Sequence, residues 1–256
     1  MHPNLLKKPE QADLFINRAI ELGFDEICFT DHMPFSVTGD EHDRIPFGKV
    51  SEYCEKVREK ADEYKEKIII KTGIEIDYHP SCINEIEKVL KDGSFDYVIG
   101  SSHLNIKGFN IPFEKTTRTE FARLVLENYN NAVLSGYFDT ISHLDVYRWV
   151  FSEYPLIDDN YEFKSNLDII EKILINLEKT GVMLEINAAP LYKGFDKLGA
   201  YPENDIIKFS KNFNINYIYG SDAHSYDKVG YGYDILIKNV IDMCFTEEYQ
   251  ARLNFM

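Results

Sequence analysis

The chain has few basic residues, few cysteines and no long apolar run. Its 256 residues include 28 Lys and Arg against 43 Asp and Glu, which gives a net charge of −15. Such an acidic chain repels phosphate backbones and anionic headgroups, so we expect no binding to nucleic acid or to membranes. The four cysteines show neither C-x-x-C spacing nor the density of a disulfide scaffold, which indicates reduced, structural thiols.

Targeting segments and domain linkers are also lacking. No stretch approaches the roughly 18 to 20 apolar residues that span a bilayer, and residues 1–20 contain no apolar signal core. We therefore expect a cytoplasmic protein. No linker, repeat or break in composition divides the sequence, and 44% apolar with 14% aromatic residues is enough for a large core. The prediction is a single domain over residues 1–256.

Strand-like segments alternate with helical segments along the chain. The predicted strands are 26–30, 68–76, 96–100, 138–142, 182–186 and 215–219. The predicted helices are 9–23, 49–67, 80–91, 119–134, 162–180, 204–212 and 234–244. This alternation favours an α/β fold of parallel βαβ units, closed into a barrel or laid out as an open sheet. Neither a G-x-G-x-x-G nor a P-loop pattern follows any strand, so we favour a barrel.

Polar side chains follow the predicted strands at the point where each strand ends. In α/β barrels the catalytic groups project from the carboxyl ends of the strands. The strand ends read Thr30-Asp31-His32, Glu75-Ile76-Asp77, Ser102-His103, His143-Leu144-Asp145, Glu185-Ile186-Asn187 and Asp222-Ala223-His224. Four of the seven histidines occupy such positions, which scattered surface histidines would not do.

These residue types favour a metal centre over other catalytic sites. Neutral imidazole and carboxylate suit zinc, iron or manganese, and a carboxylate can bridge two ions. A Ser-His-Asp site is not indicated, because no serine stands in a nucleophile-elbow pattern. A Cys-His site is not indicated either, because only Cys28 lies near a strand end, and it precedes the polar residues.

In this order, the strand-end motifs resemble those of the polymerase and histidinol phosphatase (PHP) superfamily. The run His143-Leu-Asp-Val-Tyr-Arg148, followed by Glu185-Ile-Asn187 and Gly220-Ser-Asp-Ala-His224, is most similar to the histidinol-phosphatase branch. The resemblance covers residues from about 9 to 240. It implies a distorted seven-stranded (β/α) TIM-like barrel whose metal centre hydrolyses L-histidinol phosphate in histidine biosynthesis.

The resemblance also implies a set of metal ligands. Glu75 matches a bridging carboxylate that shares one site with His103 and His143. His32 and His224 match a second site, and His2 is assigned to them by its position alone. Asp222, with Glu75, matches a third site. The metals would be zinc, manganese or iron, up to three in the family.

One family motif, an H-x-H pair on a first strand, is absent from this chain, which begins at Met1-His2-Pro3. Without that strand a parallel barrel stays open and exposes two unpaired edges, which invites pairing into a homodimer. Without the pair, one metal would have only two carboxylates as ligands, which is too few for a tight site, so this chain could hold fewer ions than the three of the family. Either the sequence is an incomplete version of a longer product, which we favour, or a degenerate relative has lost part of its centre.

The expected reaction is metal-assisted hydrolysis of a small phosphomonoester. Glu75, Asp222 and His224 form the expected catalytic set, with Asp222 as ligand and proton acceptor. Arg148 is the candidate phosphate clamp, because a guanidinium forks onto two phosphate oxygens. The other candidate substrate contacts are Lys193, where the family often has an arginine, Asn187 and, more weakly, Arg118. The alternatives are another small phosphorylated substrate, or a non-catalytic metal-binding relative.

Overall fold

The computed structural model describes residues 1–34, 44–103, 111–194 and 199–244, with side chains as far as residue 238. Its strands are β1 (Glu26–Phe29), β2 (Ile69–Asp77), β3 (Tyr97–Ser101), β4 (Thr140–Ile141), β5 (Met183–Asn187) and β6 (Tyr217–Gly220). All pair in parallel, in the order of the sequence from β1 to β6. The predicted α/β fold with six strands is confirmed, and every strand falls within a few residues of its expected place.

Helices join and flank the strands. They are α1 (Pro9–Glu21), α2 (Val50–Tyr64), α3 (Ile83–Asp92), α4 (Arg118–Leu134), α5 (Tyr147–Glu153), α6 (Leu167–Thr180), α7 (Ala189–Tyr192), α8 (Asn204–Ser210) and α9 (Tyr233–Cys244). Short 3₁₀ turns at Pro80–Cys82 and Phe163–Asn166 precede α3 and α6, where the sequence predicted continuous helix. The short helices α5 and α7 were not predicted.

The apolar pattern of each element explains its place in the core. In α1 the buried residues Ala12, Phe15, Ile16 and Ala19 follow the spacing of one helical face, so that face packs inward. In β2 residues 72–77 are buried on both faces, as expected of a parallel strand covered by helices outside and by side chains inside.

The sheet curls into a half-barrel that is open between its two end strands. Among the described residues β1 and β6 do not pair with each other. The segment that carries His2 lies between their carboxyl ends. Thr30 N donates a hydrogen bond of 2.8 Å to Met1 O, and His2 N donates one of 2.8 Å to Ala223 O. The expected barrel with one side open is therefore confirmed, while the expected homodimer stays a prediction.

Cys28, Cys54 and Cys82 are free thiols. Within the described ranges, no helix combines the length and the apolar character that crossing a membrane requires.

Candidate metal centre

All seven predicted metal ligands meet at one rim of the half-barrel. Parallel strands present their carboxyl ends at the same edge of the sheet, so residues that end different strands become neighbours. The ligands come from β2 and from the residues that follow β1, β3, β4 and β6, with one more from the amino-terminal segment: His2, His32, Glu75, His103, His143, Asp222 and His224.

Three histidines form one side of this cluster. The ring of His2 stacks on that of His32, with centroids 4.5 Å apart, and on that of His224, with centroids 4.6 Å apart. One nitrogen from each ring lies within 4.8 Å of the others, close enough for the three to hold one ion. His224 Nδ1 lies 2.9 Å from the carbonyl oxygen of Asp222, which leaves Nε2 for a metal.

The buried carboxylate of Asp31 holds the amino-terminal segment in place. Its Oδ1 accepts a hydrogen bond from Asn4 N at 2.9 Å, and its Oδ2 accepts one from Leu5 N at 2.8 Å. These bonds, together with the backbone pairing of Met1 and His2, fix the direction of the His2 side chain. The sequence pattern placed Asp31 at a strand end but did not reveal this role.

Glu75 lies at the centre of the cluster. Its Oε1 is 3.4 Å from His143 Nε2, 3.7 Å from His103 Nδ1 and 3.8 Å from His32 Nδ1. Its Oε2 is 3.3 Å from His2 Nε2. The two oxygens therefore face different histidines, an arrangement in which one carboxylate can bridge two ions. His32, Glu75 and His103 form the second group with ligand atoms within 4.8 Å of one another.

Asp222 closes the cluster on the side of β6. Its Oδ1 is 3.3 Å from His2 Nε2, and its Oδ2 is 3.3 Å from Lys193 Nζ. The backbone of Asp222 has φ of 51°, a left-handed conformation that aspartate and asparagine tolerate better than most residues. This turn directs the carboxylate toward the histidines while His224 follows two residues later.

The electrostatics of the cluster lower the pKa values of two histidines and of both carboxylates. Burial lowers the pKa of His2 to about 4 and the pKa of His32 well below its usual value. Burial alone would raise the pKa of Glu75, but the neighbouring histidines, His32 first, outweigh it and hold that pKa well below its usual range. Burial would also raise the pKa of Asp222, but the charge of Lys193 and the hydrogen bond with His2 outweigh burial and hold that pKa well below its usual range. Metal ions bind these protonation states.

His143 differs from the other ligands. Burial would lower its pKa, but the Glu75 carboxylate, 3.4 Å from His143 Nε2, outweighs burial and raises the pKa to about 9. A metal ion at this ring would compete with a proton, so metal affinity should fall as the pH is lowered.

The donor atoms at the centre fit divalent metals. His2 Nδ1, His32 Nδ1 and Glu75 Oε1 are buried and form no hydrogen bond. A buried polar atom without a partner costs roughly 1–3 kcal/mol, so three within one cluster point to a ligand that engages such groups together. The mixture of imidazole and carboxylate suits zinc, manganese or iron.

Residues behind the ligands form a supporting layer that the sequence analysis did not identify. The Tyr129 hydroxyl lies 3.1 Å from His143 Nδ1, and Asp77 Oδ1 lies 2.9 Å from His103 Nδ1. Glu185 Oε2 accepts a hydrogen bond of 2.8 Å from the backbone N of His143. Asp77 and Glu185 stood within the strand-end motifs, whereas no motif pointed to Tyr129, which lies in α4.

We expect Gly220→Ala to destabilise the protein by about 1–3 kcal/mol, the usual cost of overpacking a core. A Cβ at this position would overlap the Glu185 carboxylate, which supports His143. Urea denaturation of Gly220→Ala, Glu185→Ala and the double variant would measure the effect. The loss of stability caused by Gly220→Ala should largely disappear when Glu185 is replaced by alanine. An equal loss of stability with and without the Glu185 side chain would contradict the steric explanation.

The predicted substrate contacts occupy different environments. Asn187 is buried, and its amide donates to Glu185 Oε2 at 2.9 Å while its oxygen accepts from Ala189 N at 2.8 Å. Lys193 is half-exposed beside Asp222. Arg148 is buried: its Nε lies 2.7 Å from Asp145 Oδ2, one NH2 group donates to Ala200 O, and its guanidinium lies over the Tyr201 ring.

The weaker candidate, Arg118, pairs with Asp158 at 2.8 Å. It belongs to a surface cleft that Arg148 also lines. The role of each of these four residues in binding substrate stays a prediction.

The fold and the site together define a protein of the α/β-barrel class with a cluster of histidines and carboxylates, able to hold metal ions, at the carboxyl ends of its strands. Comparison with known families narrows this class. The PHP domain family matches residues 8–189, and the chain belongs to that family.

Relatives named as histidinol-phosphatases align with this chain over most of their length. The chain is 29% identical to the probable histidinol-phosphatase of Deinococcus radiodurans, over 90% of this chain and 86% of that protein. It is 27% identical to the histidinol-phosphatase of Lactococcus lactis, over 82% of this chain and 76% of that protein. The chain is thus a PHP-family phosphoesterase with histidinol-phosphatases as distant homologues.

Two solved structures share the fold. The histidinol phosphate phosphatase of Lactococcus lactis, solved with zinc, L-histidinol and phosphate, superposes with a TM-score of 0.70 at 23% identity, over 95% of this chain and 88% of that one. A putative histidinol phosphatase of Listeria monocytogenes superposes with a TM-score of 0.73 at 19% identity, over 88% of this chain and 93% of that one.

Proposed function

We propose that the protein is a metal-dependent phosphomonoesterase that hydrolyses L-histidinol phosphate to L-histidinol and phosphate. The observation that carries the proposal is the meeting of five histidines and two carboxylates at the rim of the half-barrel, with Glu75 in contact with four of the histidines. The names of the relatives and the ligands of the Lactococcus lactis structure support this choice of substrate.

Each residue group has a distinct part in this reaction. Divalent ions held by these residues would lower the pKa of a water that acts as nucleophile and would neutralise charge on the phosphoryl group. His2, His32 and His224 would hold one ion, and His103, His143 and Glu75 another. Asp222 would serve as a ligand with Glu75 and accept a proton from the attacking water. Bound cations would also offset part of the net charge of −15, so an acidic protein could admit an anionic substrate.

Phosphate release from a panel of monoesters tests the substrate. The protein, loaded in turn with Zn²⁺, Mn²⁺ or Fe²⁺, would be assayed with L-histidinol phosphate, phosphoethanolamine and p-nitrophenyl phosphate. We expect kcat/KM to be at least about 100-fold higher for L-histidinol phosphate, because a site that hydrogen-bonds a substrate group rejects analogues that lack it. Equal values for all three esters would overturn the assigned substrate and favour another small phosphate ester.

Lys193 is the cation we assign to the phosphate. Its half-exposed ammonium lies beside Asp222 at the open side of the centre, whereas the guanidinium of Arg148 is buried against Asp145. We expect Lys193→Met to raise KM by about 10-fold or more with little change in kcat, since a charge-assisted hydrogen bond contributes about 1.5–3 kcal/mol. Steady-state kinetics would measure both constants.

The matched control is Lys228→Met. Lys228 lies nearby, over the rings of Tyr192 and Tyr231, and pairs with Asp227. Its loss should leave KM within about 2-fold, because its charge pairs with Asp227, which is not a residue of the cluster, whereas Lys193 faces Asp222. Equal KM values for wild type and Lys193→Met would contradict the assignment of Lys193 to the phosphate. Arg148 would then again be the main candidate for binding the phosphate.

A non-catalytic metal-binding role is the second candidate, because the grouped histidines and Glu75 could hold an ion without any substrate being hydrolysed. Elemental analysis of the purified protein separates the two. Two or three ions per chain together with phosphate release support the enzyme, and bound metal without hydrolysis of any monoester supports the binding role.

A further inference from the structure

Asp77, at the carboxyl end of β2, is a buried carboxylate to which the reaction described above gives no part. Four donors surround it. Its Oδ2 accepts a hydrogen bond of 2.6 Å from Arg44 NH2. Its Oδ1 faces Ser101 Oγ at 3.0 Å, His103 N at 3.1 Å and His103 Nδ1 at 2.9 Å.

We propose that Asp77, held by Arg44, is the positioning residue that fixes His103 as a metal ligand. This inference rests on the proposed metal-dependent function. A hydrogen bond from Nδ1–H to Asp77 selects one tautomer of the imidazole and leaves the Nε2 lone pair for a metal. Carboxylates that accept from a ligating histidine in this way orient its ring and raise its basicity.

The two carboxylate oxygens of Asp77 have different partners, which supports a role for Asp77 beyond a structural ion pair. Arg44 donates to Oδ2, while Oδ1 faces the backbone N and the ring of His103 and accepts from Ser101 Oγ. An ion pair that served folding alone would need no contact with His103. The ring lies 2.9 Å from Asp77 Oδ1 but 3.7 Å from Glu75 Oε1, so Asp77 is its nearer carboxylate.

Arg44 connects this carboxylate to the other side of the centre. Its backbone pairs with that of His32 in an isolated parallel β-bridge, and its NH1 donates a hydrogen bond of 3.3 Å to Met33 O. Both Arg44 and Asp77 are almost fully buried, so neither charge is well screened by solvent. The pair thus joins the residues after β1 to the end of β3, and fixes His103 relative to His32.

The test is Asp77→Asn, measured by titrating the metal-free protein with Zn²⁺ against a chromogenic chelator. An asparagine has one oxygen and one NH2 group, so it cannot accept from Arg44 and from His103 together. We expect one Zn²⁺-binding step to weaken by about 10–100-fold, the usual effect of losing such a partner, while the other steps change little. Ser101→Ala is the matched control, because it removes a donor to the same Oδ1 and leaves His103 bonded.

A double-variant comparison separates positioning from general stabilisation. In a His103→Ala background, Asp77→Asn should weaken Zn²⁺ binding by less than about 2-fold, because the group through which it acts is gone. An equal loss with and without His103 would overturn the proposal. If Asp77→Asn fails to fold, Arg44→Lys provides the same comparison, since it keeps the charge and loses the guanidinium geometry.

The outcomes also distinguish this inference from the proposed function. Wild-type protein that binds Zn²⁺ and hydrolyses phosphomonoesters, with Zn²⁺ affinities unchanged by Asp77→Asn, overturns the positioning role and leaves the function standing. Wild-type protein that binds no divalent metal overturns both.

Discussion

Glu75→Gln is expected to lower kcat for phosphomonoester hydrolysis by about 10⁴-fold, a loss typical of removing one member of a concerted catalytic unit. The carboxylate faces four histidines within 3.8 Å, and no other described acidic residue contacts so many ligands of the centre. The amide keeps the shape of the side chain but has one oxygen and no charge. It can neither bridge two ions nor favour their binding electrostatically.

Two measurements accompany the kinetics of Glu75→Gln. Elemental analysis should show fewer bound ions per chain, and circular dichroism of the metal-free protein should match wild type, because the substitution preserves volume. Glu127→Gln, on the exposed face of α4, is the matched control and should leave both activity and metal content unchanged. Near-wild-type turnover of Glu75→Gln with full metal loading would rule out the bridging role.

The strand-end residues were predictable from the sequence because both signals involved are local. Alternation of apolar strands and amphipathic helices is read within single segments, and parallel strands necessarily end at one rim. His32, His103 and His143 therefore could be expected to meet Glu75 before any contact was known. The position of His2 could not be predicted in this way. It depends on hydrogen bonds from the amino-terminal segment to Asp31 and Ala223, at the two edges of the sheet.

The supporting layer could not be predicted, because its contacts join distant segments. Asp77 and Arg44 are 33 residues apart, and the hydroxyl of Tyr129 reaches His143 from a helix face that periodicity marks only as core. The environment of Arg148 shows the same limit. Its spacing from Asp145 permits an ion pair on one helical turn, but only the packing under Tyr201 makes that guanidinium buried.

Asp222→Asn is expected to lower kcat by about 10²–10³-fold, as when one preorganised polar group is removed from a reaction centre. The substitution is well suited to the position, because asparagine adopts the left-handed backbone of Asp222 as readily as aspartate does. Asp222→Ala would add strain of roughly 1–2 kcal/mol to the chemical effect. The asparagine variant therefore isolates the carboxylate, and its thermal stability without metal should stay close to wild type.

Excess metal separates the two roles proposed for Asp222. A carboxylate that only holds an ion can be compensated by mass action, so the kcat of Asp222→Asn should then recover as Mn²⁺ or Zn²⁺ is raised. The loss of a carboxylate that also accepts a proton cannot be compensated in this way. The kcat of Asp222→Asn should then stay at least about 10²-fold below wild type at saturating metal. We expect the second result, because Oδ1 already lies 3.3 Å from His2 Nε2 while Oδ2 faces the exposed Lys193, the cation proposed to bind the phosphate. Full recovery of kcat would contradict the role of proton acceptor and leave Asp222 as a metal ligand alone.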